Sequence, residues 1–432
     1  MDIVIIAGGK GKRLGSLVLD VPKPMILLEG KPILEHQIEL AKRYSLKEII
    51  ILSGHMSDKI EEYFSDGKWL GISLKYIKEQ SPLGTAGCLK QIEEFVSNDF
   101  IVFNADIVMD FDILKMIDFH YRKDTVATLF LHPNDHPYDS DLIEINDNGY
   151  VLSIYPKPHP DDRWYQNLVM AGVYIFKKSV LQHIKKYEKA DLGKDLIPTL
   201  LKSGEMILGY ISSEYVKDMG TLERYEKVKK DFLCGKIKKS NLKYKRPAIF
   251  IDRDGVINKD INLLYKADDF KLLPGVASAV KKINDSGYLA VVITNQPVIA
   301  RNLTDFNGLR QIHNKMEWLL GNQGCYLDAI YFCPHHPDSG YPEERKEFKV
   351  DCDCRKPKPG MILRAADELN IDLEKSFIIG DRESDVVAGK NAGITTVIVK
   401  INGEYWENQD SCASMKFNSL KEAVDSIFQE FC

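Results

Sequence analysis

Ile249-Phe250-Ile251-Asp252-Arg253-Asp254-Gly255-Val256 is the stretch from which the fold of this chain can be read. A short apolar run bounded by polar residues suits a strand buried on both faces, and this one breaks off into two carboxylates. If the chain turns beside them, as Gly255 makes easy, one carboxylate can attack a phosphorus while the other protonates the leaving oxygen. A lone D-x-D is more often a metal-free turn or cap, so the chemical reading needs support from elsewhere in the chain. Working outward, the same pattern recurs: Leu289 to Ile293 runs into Thr294-Asn295-Gln296, and Phe377 to Ile379 into Gly380-Asp381-Arg382-Glu383-Ser384-Asp385. Near the start, Ile3 to Ile6 runs into Ala7-Gly8-Gly9, and Ile49 to Leu52 and Ile101 to Phe103 are further runs of this kind. Helical patterns separate them, such as Leu34, Ile38 and Ala41 on one face. The alternation predicts an α/β chain with parallel strands covered by helices, its functional residues gathered at the carboxyl ends of strands.

The 432 residues are more than one core usually serves, so two domains are expected. Between Lys227 and Arg246 nine basic side chains face a single acid, Asp231, which sets the boundaries at 1–232, a basic linker 233–246, and 247–432. Without interleaved aromatics the basic cluster reads as a solvated helix end and linker, not a nucleic-acid site. With 58 basic and 63 acidic side chains, a net charge of −5 predicts no attraction to nucleic acid or an anionic membrane. No apolar run approaches the roughly 18 residues that would span a bilayer. Eight cysteines are sparse for this length, and the short apolar stretch after Asp2 has no basic region or cleavage site, so a reducing, cytoplasmic location is expected.

The loop Ala7-Gly8-Gly9-Lys10-Gly11-Lys12-Arg13-Leu14-Gly15 lets backbone amides approach phosphate oxygens, though it fits neither the Rossmann nor the Walker template. Two cations add information: Arg13, and Lys23 held between prolines in Val21-Pro22-Lys23-Pro24-Met25. Further along come Pro82-Leu83-Gly84-Thr85-Ala86-Gly87, Asn104-Ala105-Asp106, Lys157-Pro158 and Lys217-Asp218-Met219-Gly220-Thr221. In this order the segments resemble the sugar-1-phosphate nucleotidyltransferases. The resemblance implies a Rossmann-like mixed sheet and an in-line attack by a sugar 1-phosphate oxygen on the α-phosphorus of a nucleoside triphosphate. It also implies Mg²⁺ between Asp106 and Asp218, with Gly8, Gly9, Gly11 and Arg13 on the triphosphate and Lys23 on the α-phosphate and leaving group. Glu79, Gly84 and Thr85 would contact the nucleotide, and Lys157 and Gly172 the sugar phosphate. Two departures bear on the sugar: Pro156 stands where the family has glutamate, and Met170 where it has asparagine before Ala171-Gly172. The missing amide would have to come from another group, such as Gln166 or Asn167, unless the sugar differs from the common hexoses.

In the second half D-x-D, Thr294, Lys356 within Arg355-Lys356-Pro357-Lys358-Pro359-Gly360, and the Gly380–Asp385 motif together resemble the haloacid dehalogenase superfamily of phosphatases. By that resemblance Asp252 becomes an aspartyl phosphate and Asp254 is the general acid that later activates water. Thr294 and Lys356 hold phosphoryl oxygens, and Mg²⁺ lies between Asp252, the Asp254 carbonyl and Asp381. Asn295, Arg301 and Arg355 are further candidate substrate contacts. Cys333-Pro334-His335 and, sixteen residues on, Cys352-Asp353-Cys354 offer three thiolates and an imidazole, a closed set suited to one structural zinc, with His336 a bystander. A disulfide is disfavoured by the compartment and buried thiols by the polar surroundings. This loop narrows the resemblance to the heptose-bisphosphate 7-phosphatases, while histidinol-phosphate phosphatases share it; Pro297-Val298 replaces their Ser-Gly.

The two halves share an intermediate. Removing the 7-phosphate of D-glycero-D-manno-heptose 1,7-bisphosphate leaves a heptose 1-phosphate, and Asp20 to Met25 with Gly30-Lys31-Pro32 resemble the heptose-1-phosphate guanylyltransferases. The expectation is a bifunctional enzyme making GDP-D-glycero-α-D-manno-heptose from small-molecule substrates including GTP, with no nucleic-acid or membrane partner and homo-oligomerisation left open. The alternatives are the same chemistries on other ligands, such as ADP-heptose or a hexose nucleotide, or a non-catalytic sugar-nucleotide-binding regulator.

Overall fold

The computed structural model describes the chain except residues 10–13, 16–17, 19, 161, 339, 341–342, 401–411 and 431–432. It separates into two compact units. The first comprises Met1–His132, Ile143–Tyr155 and Val169–Asn241; the second comprises Pro133–Leu142, Pro156–Leu168 and Leu242–Cys432.

The first unit is built on a seven-stranded sheet in the order Ile207–Ile211, Ala127–His132, Val169–Phe176, Phe100–Asn104, Asp2–Ala7, Glu48–Ser53, Ser73–Lys78. Asp2–Ala7 is parallel to both neighbours, whereas Val169–Phe176 is antiparallel to both of its own, which makes the sheet mixed as expected. A register shift between Met170 and Tyr174 accompanies Gly172, whose φ of +75° is left-handed. A Cβ there would collide with Ile107 and Asn104, so this glycine is required both by conformation and by close packing. A separate antiparallel ribbon pairs Ile107–Asp110 with Tyr215–Asp218.

The basic stretch continues this unit more than a linker would. Helix Leu222–Leu233 is capped by the Thr221 hydroxyl accepting from the Arg224 amide, and a short helix Lys236–Lys239 follows. Its Ile237 is buried with Tyr215, Met219 and Val228, and Asn241 donates to Asp110 at 2.7 Å and Tyr44 at 3.2 Å. The lysines stay outside while one apolar side chain anchors the segment.

The second unit carries a six-stranded, all-parallel sheet in the order Ala329–Cys333, Leu289–Asn295, Ala248–Ile251, Phe377–Gly380, Thr395–Val399, Met415–Phe417. Alternation explains the unbroken apolar run at its centre. Ile249 and Ile251 enter one core with helices Val276–Ser286, Phe306–Gly321 and Leu420–Glu430. Ala248 and Phe250 enter the other with helices Gly360–Leu369 and Glu383–Ala392. The chain steps outward through two strands and then returns to the opposite side of Ala248–Ile251. That reversal opens a crevice at the carboxyl ends of the central strands. Among the described residues no helix is long and apolar enough to cross a membrane.

Two candidate active sites

Asp252 follows the central strand of the second unit, its amide donating to the Ile379 carbonyl at 2.9 Å. The Lys356 ammonium, buried, lies 2.9 Å from Asp252 Oδ1 and 2.6 Å from Asp385 Oδ1, and donates to the Ile293 carbonyl at 2.9 Å. Asn295 fixes the Lys356 backbone from both sides, donating to its carbonyl at 3.0 Å and accepting from its amide at 3.1 Å. Carboxylate oxygens of Asp252, Asp381 and Asp385 all lie within 4.8 Å of one another. Three carboxylates against one ammonium leave two negative charges in a confined volume. Burial, with Asp385 and Asp254 adding repulsion that Lys356 only partly offsets, pushes Asp252 up to about 6. Burial and the neighbouring Asp252 and Asp385 push Asp381 up to about 7. Asp381 Oδ1 is buried without a hydrogen-bond partner. An all-oxygen set with this charge deficit fits a divalent cation such as Mg²⁺. Gly255 has a φ of +80°, and a Cβ there would collide with the Asp381 carboxylate, so the turn and the opposing strand end fit only through this glycine.

The Asp254 carboxylate turns away from that group. It accepts from Arg253 at 2.8 Å, Asn258 at 3.0 Å and Gln296 at 2.9 Å. Burial alone would raise it, but Arg253 and these hydrogen bonds hold it below the ordinary carboxylate value. Gln296 also donates to the Thr294 hydroxyl at 2.9 Å, tying Thr294 to Asp254.

The cysteine-rich loop gathers as expected. Cys354 Sγ lies 3.2 Å from Cys352 Sγ, 3.3 Å from Cys333 Sγ and 3.4 Å from His335 Nδ1. These separations are far beyond an S–S bond of about 2.05 Å and approach the edges of a tetrahedron with metal–sulfur bonds of about 2.3 Å. Sharing hydrogen bonds with Cys333 and Cys352 lowers Cys354 to about 5, so a thiolate is already favoured. His336 is not among the four donors; its Nδ1 accepts from the Asp338 amide at 3.2 Å, while burial and then Arg355, with Arg301 also near, push it below its ordinary value. Arg355 donates to the His335 carbonyl at 3.0 Å, so the loop leads directly into the Arg355-Lys356 pair.

In the first unit Asp106 follows strand Phe100–Asn104 and Asp218 ends the paired ribbon, with Asp218 in register with Ile107. The Met219 amide donates to the Asp106 carbonyl at 3.0 Å, which ties the backbone at Asp106 to the residue after Asp218. Buried Lys23, in a short turn Lys23–Met25 after Pro22, donates to Asp106 at 2.5 Å. Asp218 accepts from the Gly220 amide at 2.8 Å and from Arg224 at 2.5 Å. Burial opposes its ionisation, yet Arg224, the Gly220 amide and Lys23 together hold it below the usual range. Two carboxylates flanked by fixed cations fit a Mg²⁺-phosphate site.

Glu79 follows strand Ser73–Lys78, its amide donating to the Ser53 carbonyl at 2.8 Å. One carboxylate oxygen is buried without a partner, burial pushes the carboxyl up, and a Cβ on Gly8 would collide with the other. Nothing lies within 4 Å of a Cβ placed on Gly9. Gly84, at φ +76°, lets the segment close on the Ala190 carbonyl, and the Thr85 hydroxyl is spent on structure, donating to Asp191 at 3.0 Å and accepting from the Leu192 amide at 2.8 Å. Lys157 pairs with Asp139 at 2.7 Å, and residues 156–168 cluster with the second unit. Asn167 donates its amide to the Asn134 carbonyl at 2.7 Å, and its Oδ1 is buried without a hydrogen-bond partner. Gly11 and Arg13 lie outside the described residues.

Sequence reasoning gave no role to Asp385, Arg253, Asn258 or His313. Asp385 stood inside a quoted motif and Arg253 between Asp252 and Asp254, so their positions were visible. His313 comes from a distant helix and carried no signal.

A nucleotidyl transferase family model matches residues 3–234, and a HAD-hydrolase-like model matches residues 353–413. The D-glycero-beta-D-manno-heptose-1,7-bisphosphate 7-phosphatase of Photorhabdus laumondii is 41% identical over 182 residues, 42% of this chain and 95% of that protein. Among solved structures, HddC from Yersinia pseudotuberculosis complexed with GMP-PN is 27% identical and covers 54% of this chain and 99% of its own, with a TM-score of 0.47. D,D-heptose 1,7-bisphosphate phosphatase from B. bronchiseptica complexed with magnesium and phosphate is 32% identical and covers 43% of this chain and 99% of its own, with a TM-score of 0.38. The chain therefore belongs, over residues 3–234, to the nucleotidyl transferase family and, in its C-terminal part, to the D-glycero-beta-D-manno-heptose-1,7-bisphosphate 7-phosphatases.

Proposed function

We propose that this chain makes GDP-D-glycero-α-D-manno-heptose, dephosphorylating a heptose 1,7-bisphosphate at position 7 and then transferring GMP to the resulting heptose 1-phosphate. One observation carries the reading: a single polypeptide joins a family that releases a sugar 1-phosphate to a family that consumes one. Residues 1–232 would supply the transferase and 247–432 the phosphatase.

In the phosphatase reaction an Asp252 oxygen attacks phosphorus as the bond to the sugar oxygen breaks, and Asp254 gives that oxygen a proton. Water then attacks the aspartyl phosphate, Asp254 takes its proton, and Asp252 is restored as phosphate leaves. Lys356 and Thr294 steady the phosphoryl oxygens, while Asn295, Arg301 and Arg355 hold the substrate. Asp252, Asp381 and the Asp254 carbonyl would hold Mg²⁺, which offsets the charge of carboxylate and phosphate brought together. In the transferase Lys23, Arg13 and the amides of Gly8, Gly9 and Gly11 receive the triphosphate and Glu79 and Gly84 line the nucleotide. Asp106 and Asp218 would hold a second Mg²⁺, and Lys157 is assigned to the sugar phosphate. Cys333, His335, Cys352 and Cys354 would bind one structural zinc that fixes the approach of Arg355 and Lys356.

The relatives' name specifies the β anomer, which favours a second reading with β substrate and product. Phosphorus NMR with each anomer of the bisphosphate and each of the four nucleoside triphosphates tests both. The expected result is phosphate, pyrophosphate and a nucleotide-sugar signal with the α anomer and GTP. Turnover confined to the β anomer or to another nucleotide would replace this ligand assignment, and no turnover in any combination would favour a binding role.

A further inference from the structure

Arg253 is the middle residue of the D-x-D segment, yet its side chain is fully buried, at 0% exposure. Its guanidinium forms a fork with four destinations: Nε and Nη2 donate to Asp254 Oδ1 at 3.3 and 3.0 Å, Nη2 to Asp254 Oδ2 at 2.8 Å and to Gln296 Oε1 at 3.0 Å, and Nη1 meets His313 Nε2 at 3.3 Å. A guanidinium can only donate, so His313 Nε2 must accept and the ring proton sits on Nδ1. Burial and the adjacent Arg253 push His313 down to about 3, which keeps the ring a neutral acceptor. The ring is also held from the side by Phe332, at 5.8 Å between centroids. The acid is thus oriented by a chain that starts on helix Phe306–Gly321 and ends at the carboxylate: His313, Arg253, Asp254. Gln296 braces it laterally.

We propose that Arg253 and His313 are positioning residues for Asp254, His313 fixing the guanidinium plane and Arg253 fixing the carboxylate that serves the leaving oxygen. Neither side chain touches phosphorus in this assignment, and the Asp252 nucleophile is held by the Lys356 ammonium and by the backbone amide of Arg253 at 2.7 Å, which a side-chain change leaves in place. The inference rests on the general-acid role of Asp254. It predicts a defect that, in the first chemical step, falls only where the leaving oxygen needs a proton; the later attack of water, with Asp254 as base, is common to every substrate. With an alkyl phosphate, the sugar oxygen must be protonated as the P–O bond breaks; with 4-nitrophenyl phosphate, the phenolate leaves without that proton.

The test is the first-turnover burst of leaving-group release, read before water attacks, by the full chain with Mg²⁺ on heptose 1,7-bisphosphate and on 4-nitrophenyl phosphate. His313→Leu should lower the burst rate on the sugar substrate by about 10²-fold with little change in the concentration that half-saturates it, while lowering the burst rate on the aryl substrate less than about threefold. His313→Gln, which returns an acceptor near the Nε2 position, should restore most of the sugar activity. His313→Asn, whose acceptor falls short of that position, should behave as Leu does and serves where the Leu variant does not fold. Equal losses on both substrates, or no recovery with Gln, would overturn the proposal. Asp254→Asn separates the two levels: if it too strikes both substrates equally, the acid role itself fails; if it is selective and the His313 variants are not, only the positioning role fails.

Discussion

Lys356 and Lys157 entered as equals, each a lysine before a proline assigned to a phosphate, and the structure treats them differently. The Lys356 side chain is 3% exposed and lies among Asp252, Asp385 and the Ile293 carbonyl. The Lys157 side chain is 49% exposed and pairs with Asp139, itself 60% exposed. A reaction that makes a bond to the protein needs its charges fixed before substrate arrives, so its lysine belongs to the core. A lysine that meets a diffusing sugar phosphate can remain a surface group with a replaceable partner.

The largest effect expected is at the proposed nucleophile, Asp252. Asp252→Asn should reduce phosphate release from the bisphosphate by at least about 10⁴-fold while leaving pyrophosphate release from sugar 1-phosphate and GTP intact. Loss of both activities would end the idea of two independent sites. Asp106→Ala should do the converse, lowering nucleotidyl transfer by about 10²-fold or more; unchanged transfer would remove Asp106 from the metal site. Lys356→Ala leaves buried carboxylates uncompensated and should cost about 3–5 kcal/mol of stability in chemical denaturation as well as phosphatase activity. Cys352→Ser should lose bound zinc and lower phosphate release about 10–100-fold through misplaced Arg355 and Lys356. Full zinc retention by metal analysis would exclude Cys352 as a ligand. Smallest is the stability change in Lys157→Ala, within about 0.5 kcal/mol, with a raised KM for sugar 1-phosphate as its signature. A destabilisation as large as that of Lys356→Ala would erase the contrast between the two lysines.

The strand ends were legible because an apolar run stopped by a polar triplet is a local signal. Asp252, Thr294 and Asp381 were readable in this way, Lys356 only through its place in Arg355–Gly360, since no strand leads into it, and the cysteine spacing gave the four clustered donors. Less legible were properties set by distant packing. Asp385 reads as an ordinary first-turn helix residue, and only its neighbours show it buried against Lys356. The affiliation of residues 133–142 and 156–168 with the second unit has no compositional mark, and the single anchoring Ile237 was hidden among lysines. His313 acquires meaning only once Arg253 is seen to turn inward.

The strand that delivers Asp252 feeds alternate side chains into two separate cores, and the amide of Asp252 closes onto Ile379. Neither face can loosen without disturbing a packed layer, so local fraying has no low-energy route there. In deuterium, the amides of Phe250 to Asp252 should exchange only when the whole unit opens, among the slowest in the chain. The Asp252 backbone therefore keeps time with global unfolding, not with the faster fluctuations of the loops around it.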